Sequence, residues 1–297
     1  MKNKNWFGEK ERITATAIGA LANQVGIALG FFLSPAVVPN NSSDINISIL
    51  LIILAVVAVI SLILIFCFYK NKPPLPPSRS SSLTSNHSNF DEYRLFDVLK
   101  LLFNDKHYVN LLFCYGNIVG SFYAISTILD QILSSVGYEE STTSILGMIF
   151  VFLGIPGALL SGYIADRTRA YKLLLILCCF ISFLSMSAYA MVFNQLDPIL
   201  LYICGSFMGF FMTALLPICM DFSVEITFPL PEATVSNTLI LSSQLFSSIQ
   251  IVISTFLLDY AGADCVNFSF VLFIAIPTII VLFFNGKNKR LHAEAQN

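Results

Sequence analysis

The sequence predicts an all-α integral membrane protein with eight transmembrane helices, and three observations carry that prediction. Eight apolar runs of roughly twenty residues divide the chain, the length a helix needs to cross ~30 Å of hydrocarbon at about 1.5 Å per residue. All sixteen lysines and arginines precede the first run, follow the last, or follow an even-numbered one. That bias marks cytoplasmic connections and places both ends of the chain in the cytoplasm. The composition agrees: 56% hydrophobic, 11% charged and a mean hydropathy of +0.77, where a soluble domain carries about a quarter of its residues as charges.

The runs cover residues 13–37, 47–69, 108–133, 143–164, 173–193, 198–220, 235–258 and 266–285. The second is apolar on every side, unlike the one-sided stripe of a soluble bundle. Ahead of the first, Met1–Arg12 is polar and basic and lacks the apolar core of a cleavable signal. Glycosylation sequons at Asn40, Asn41 and Asn46 follow the first run, and one at Asn267 follows the seventh, all on the expected outer side. Residues 70–106 differ from the other connections. They open with Pro73, Pro74, Pro76 and Pro77 and continue through a serine-rich tract, a composition that cannot bury enough apolar surface to fold. Further on, Leu95, Phe96, Leu99 and Leu102 alternate with charges, which predicts a short amphipathic helix on the membrane surface.

The chain therefore divides into residues 1–69, the last two spans of one six-helix half; 70–106, a cytoplasmic linker; 107–286, a complete six-helix half; and 287–297, a cytoplasmic tail. Two spans, a linker and six spans are the organisation of a twelve-span, two-half protein without its first four spans.

Composition also excludes function classes. A net charge of −2, with basic residues spread as anchors, offers no surface for nucleic acid. Six of the seven cysteines fall within apolar runs and only Cys265 lies in an outer connection, so no disulfide framework is expected. No metal-type Cys/His spacing and no nucleophile–base constellation is present, so neither a cofactor nor an enzyme is expected.

Within the runs, polar residues gather on single faces. Gly19, Asn23, Gly26 and Gly30 share a stripe in the first run with Gln24 beside it; Gly116, Gly120, Tyr123, Thr127 and Asp130 do so in the third, and Asn237, Gln244 and Ser248 in the seventh. Glycines four apart, including Gly205 and Gly209, let helices approach closely. Amides in hydrocarbon need a partner, either a neighbouring helix or a wet cavity. Asp130, near the outer end of its run, reads as an interfacial cap or as a charge that attracts substrate.

The stretches ANQVGIALGFFLSPAVVPN (22–40), GSFYAISTILDQIL (120–133), GFFMTALLPICMDFSVEITFP (209–229) and SSQLF (242–246) resemble the feline leukaemia virus subgroup C receptor-related proteins, solute carrier family 49, of the major facilitator superfamily. The resemblance implies the major facilitator fold, with the eight helices as spans 5–12 of twelve, and a plasma-membrane transporter working by alternating access. Its substrate class would be choline or ethanolamine, with haem export as the alternative. By resemblance Gln24 and Gln244 hold the substrate and Tyr123 forms an aromatic wall of the same site; Asn23, from its stripe, and Asp130, from its charge, are further candidates read from the residues themselves. The family's first-span tryptophan has no counterpart here, since Trp6 lies in a cytoplasmic segment. The chemistry is compatible: a quaternary ammonium cannot donate hydrogen bonds and is held by aromatic faces at ~0.5–2 kcal/mol per contact. The runs contain almost no buried acid, which points to passive rather than proton-coupled movement.

Residues 162–172, GYIADRTRAYK, resemble the superfamily's signature loop. Gly162 would permit close helix contact, while Asp166 would pair with Arg167 or a helix end and bias one state of the cycle. The match to that pattern is partial at Thr168 and Arg169, and plain cytoplasmic anchoring by the basic residues remains the alternative. Glu225, with Asp221 and Glu232, breaks the basic trend on the inner side and is a candidate for a gating ion pair. A haem carrier would use an axial His, Cys or Tyr, yet His87, His107 and His292 all lie in or beside cytoplasmic segments. A receptor, or a truncated product that modulates a full-length partner, is a third class. Because half of a two-lobed pocket would stand open, this chain alone is expected not to transport; choline flux above that of empty liposomes would contradict this.

Overall fold

The computed structural model describes residues 12–38, 44–68, 95–228 and 230–283. The proline- and serine-rich linker, the tail, Trp6 and the sequons at Asn40 and Asn41 fall outside them. Among the described residues every regular element is helical. Two units result, residues 1–91 and 92–297. The first holds α1 (Arg12–Val37) and α2 (Asp44–Phe68). The most apolar stretch of α2 is wholly unburied, as befits a helix whose neighbour is lipid.

The second unit begins with α3 (Leu95–Asn104), followed after one residue by α4 (Lys106–Val136). Asp105 caps α4 by accepting from the His107 backbone N–H at 2.9 Å. Gly137 ends it in the left-handed region at φ 102°, with its own N–H donating to Ser134 O and that of Tyr138 to Leu133 O. The fourth run forms α5 (Glu140–Phe152) and α6 (Gly154–Thr168). Pro156 explains the break, because its ring crowds the carbonyl of Phe152 four residues back and supplies no N–H to it. Next come α7 (Tyr171–Val192) and α8 (Pro198–Thr227), the latter capped by Asp197, whose carboxylate accepts from the Ile199 and Leu200 N–H groups.

Helix α8 outruns the expected end at residue 220 by seven residues. The sequence reading stopped at the first charge, Asp221, whereas the helix continues until Pro229 and Pro231 forbid it. The last element, α9 (Glu232–Leu282), also corrects an expectation, because residues 259–265 form no loop. Helical geometry fails only at Gly262, at φ 83° and ψ 174°, a region open essentially to glycine alone. The chain reverses there. The Tyr108 hydroxyl donates to Val235 O at 2.8 Å and the Cys114 thiol to Pro277 O at 3.5 Å. In a straight helix those acceptors would stand roughly 60 Å apart, yet their donors lie about 9 Å apart along α4.

Six helical stretches are long and apolar enough to cross a membrane, and residues 22–37 of α1 form a shorter apolar one. With α9 read as two arms, these are the eight expected runs.

Helix α4 is the most buried span and packs mainly on α9, while α8 packs on α5, α6 and α7. Backbones meet directly at two glycines. A Cβ at Gly209 would overlap the Phe150 carbonyl, and one at Gly157 would overlap that of Phe210. Around Gly26 and Gly30, by contrast, no described atom lies within 4 Å of a Cβ position, so the packing role expected there is not seen. Gly162 also differs from expectation, since a Cβ there would meet Pro217 at an ordinary 3.6 Å. We therefore expect Gly209→Ala to destabilise the detergent-solubilised protein by about 1–3 kcal/mol or more, and Gly162→Ala to melt within error of the parent. Equal melting temperatures for the two variants would contradict this packing.

Candidate functional site

The polar stripe of α4 is divided by its packing. At its lower end Gly116 and Gly120 press against α9: a Cβ at Gly120 would lie 3.0 Å from Ser247 N and 3.1 Å from Ser243 O. The helices cross at these small residues. Beyond the crossing the same face of α4 is uncovered, leaving Tyr123 half-buried and Thr127, Asp130 and Ser134 exposed. On α9, Asn237, Gln244 and Ser248 are exposed in turn, and the Ser248 hydroxyl donates to Gln244 O at 2.9 Å. Gln244 adjoins Ser243 and Tyr123 lies three residues beyond Gly120, so both flank one helix crossing.

The aromatic residue is braced from behind. Tyr123 meets Phe122 edge-on at 5.5 Å between centroids, and Phe122 stacks on Phe150 of α5 at 4.8 Å. Asp130 does not cap α4, a role filled by Gly137; its backbone carbonyl accepts from the Ser134 hydroxyl at 2.7 Å. In the first unit Gln24 is 4% exposed with Oε1 lacking a hydrogen-bond partner, whereas Asn23 is exposed. The two neighbours thus occupy different environments.

Sequence reasoning passed over Gln250, two turns beyond Ser243. It is 1% exposed and donates from Nε2 to Asn117 O at 3.3 Å. Its spacing from Ser243 and Ser247 on the face toward α4 was the available signal.

The signature-like loop meets the C-terminal end of α8. Arg169 Nη1 lies 3.6 Å from Glu225 Oε1 and donates to the Tyr171 hydroxyl at 3.2 Å, while Tyr171 stacks on Phe222. Glu225 is 4% exposed, so one buried acid does occur within a span. The sequence reading named Glu225 as a gating candidate but missed its burial, because it ended the helix too early. The Oε2 atom of Glu225 has no hydrogen-bond partner. Arg169, not Thr168, takes the left-handed conformation, at φ 53° and ψ 15°, a costly one for a residue with a side chain. Arg167 points elsewhere, with its guanidinium carbon 5.5 Å from the centroid of the Tyr163 ring. The Asp166 side chain lies outside the described part of the structure. Among the described residues, no group of three His, Cys, Asp or Glu side chains is placed to hold a metal ion.

Helices long and apolar enough to cross a membrane, with large apolar side chains on their outer surfaces, define a multi-pass membrane protein. Residues 3–227 match the family model of the Major Facilitator Superfamily, and the chain belongs to that superfamily. Its curated relatives include the zebrafish (Danio rerio) choline/ethanolamine transporter flvcr2a, 33% identical over 98% of this chain and 63% of that protein. The cat (Felis catus) choline/ethanolamine transporter FLVCR1 is 37% identical over 81% of the chain and 44% of its own length. Human FLVCR2, another choline/ethanolamine transporter, is 32% identical over 98% and 56%. The chain thus spans less than two thirds of these relatives. In fold it resembles the Escherichia coli fucose:proton symporter, with a TM-score of 0.61 at 16% identity over 96% of this chain and 72% of that one. Relatives and fold are those of transporters, not enzymes.

The Arg169–Glu225 ion pair makes a stability prediction. Arg169→Ala removes the cation beside a buried carboxylate and should cost about 1–3 kcal/mol. Arg169→Gly should cost less by up to ~1 kcal/mol, because glycine accepts the positive φ. Adding Glu225→Gln to Arg169→Ala should restore most of the loss in thermal melts; strictly additive losses would show that the two side chains are not coupled.

Proposed function

We propose that this chain forms the greater part of a facilitator for a small organic cation of the choline or ethanolamine class, moved by alternating access across the plasma membrane with both chain ends in the cytoplasm. The observation that carries this reading is the uncovered face of Tyr123, Thr127 and Asp130 on α4 with Gln244 and Ser248 on α9. Lipid is a poor neighbour for such a face, which calls for protein or water.

In this reading Tyr123 offers its ring to an ammonium group and the Gln244 amide receives the hydroxyl end. Asp130 draws cations toward the outer mouth, and within the first unit Gln24 and Asn23 are the side chains assigned to substrate. The names of the relatives support the substrate class. The pair Arg169–Glu225 serves as the inner latch, with Gly162, Asp166 and Arg167 in the loop that carries it. Glu225 lies at the inner end of its helix beside a cation, so passive movement remains the reading. Haem has less support, since His107, the one histidine among the described residues, is exposed at the start of α4.

Uptake of labelled choline by the complete transporter tests the site. Tyr123→Ala should raise the half-saturating concentration about 5–30-fold, the worth of one desolvated cation–π contact, while Tyr123→Phe stays near the parent. Gln244→Ala should reduce uptake strongly, and unchanged uptake in that variant would remove the proposed site.

A further inference from the structure

Tyr123 on α4 and Gln244 on α9 stand apart by an amount that the register of the two helices decides, and the contacts between the helices give that register. The Tyr108 hydroxyl donates to Val235 O, the Ser242 hydroxyl to Leu112 O at 3.3 Å, and Gly120 packs on Ser243 and Ser247. Residue numbers rise together, so α4 and the first arm of α9 run parallel. Carried along both helices, the pairing at Gly120 sets Tyr123 about level with Gln250, and Gln244 about level with Asn117. Ring and amide are therefore offset along the helix axes by roughly 8 Å.

The bond from Gln250 Nε2 to Asn117 O at 3.3 Å runs between those same two levels. Among the described residues it lies furthest along both helices of the side-chain bonds that join α4 to the first arm. For stability alone it is a poor device. Gln250 is 1% exposed and its Oε1 meets no donor, and a half-satisfied buried amide serves stability less well than an apolar side chain of similar shape. What the amide adds is a directional tie, where packing between spans in lipid is only weakly driven. We infer that Gln250 is a positioning residue. It locks the register of α9 against α4, and so fixes the spacing between the Tyr123 ring and the Gln244 amide. That spacing selects the length of substrate, from ammonium to hydroxyl, that both can hold at once. The inference rests on the assignment of those two side chains to an organic cation.

The test is uptake by the complete transporter of choline and of its homologue one methylene longer, 3-hydroxypropyl-trimethylammonium. The ratio of their half-saturating concentrations is the preference, and the parent should favour choline. Gln250→Met keeps the shape and loses the tie. It should melt at or above the parent temperature, while the preference falls about 3–10-fold, the worth of one such bond. Gln250→Leu should reproduce both results. Ser254→Ala removes a buried, unpartnered hydroxyl one turn further along α9 and should leave the preference unchanged. A ratio read on one sample does not move when less protein folds. An unchanged preference in both Gln250 variants would overturn the inference, as would an equal fall in Ser254→Ala or a parent that accepts both compounds alike. Should Tyr123→Ala and Gln244→Ala weaken uptake while Gln250 proves inert, only the register role is lost; should those two variants also transport normally, the substrate reading falls with it.

Discussion

Inside a bilayer no water is available to a peptide group, and this scarcity of hydrogen-bond partners governs the whole molecule. It enforces helices, and it also decides what their hydroxyls do. Ser61, Ser126, Thr127, Ser187, Ser206 and Thr255 each donate to the carbonyl four residues back on their own helix. These six hydroxyls therefore interrupt apolar runs without seeking outside partners, whereas Ser161 reaches across to Ala214 O. Long amides and carboxylates have no such local solution. Their placement, against protein or on an uncovered face, carries the functional information.

Hydrophobic attraction between spans is weak when lipid is the competitor, so close backbone approach does the joining. Gly209 against Phe150 and Gly157 against Phe210 lock α8 to the α5–α6 pair, and Gly120 sets the crossing of α4 with α9. Each contact also positions function. The α4 crossing lies just below Tyr123, and the helix pinned at Gly209 runs on to Glu225. Packing and candidate site are thus set by the same small residues.

Much of this was legible in advance, for identifiable reasons. Apolar length and the bias of basic residues are strong signals, and they yielded the eight crossings; the superfamily came from the resemblance carried by stretches such as residues 120–133 and 209–229. Boundaries failed where a charge was taken to be a stop: Asp221 and Glu225 remain helical because burial and an ion pair accommodate one of them, and prolines end the helix later. The reversal at Gly262 was expected as a longer loop, between a run ending at residue 258 and one beginning at residue 266. Gln244, Tyr123 and Asp130 stand on uncovered faces, which a spacing argument can anticipate. That Arg169 rather than Arg167 reaches Glu225 depends on a left-handed backbone, and no pattern of letters displays a dihedral angle. The burial of Gln24 beside an exposed Asn23 was equally invisible to a stripe that counted both as neighbours.

The reversal at Gly262 has a mechanical corollary. Two long arms meet at one non-helical residue, without slack, and a hydrogen bond from Asn194 to Asp264 at 2.6 Å fastens this corner to a neighbouring connection. Such a joint resists shear of one arm past the other. The arms must travel as a single rod-pair, making this corner a poor place for an inserted epitope and a stable fiducial for distance measurements.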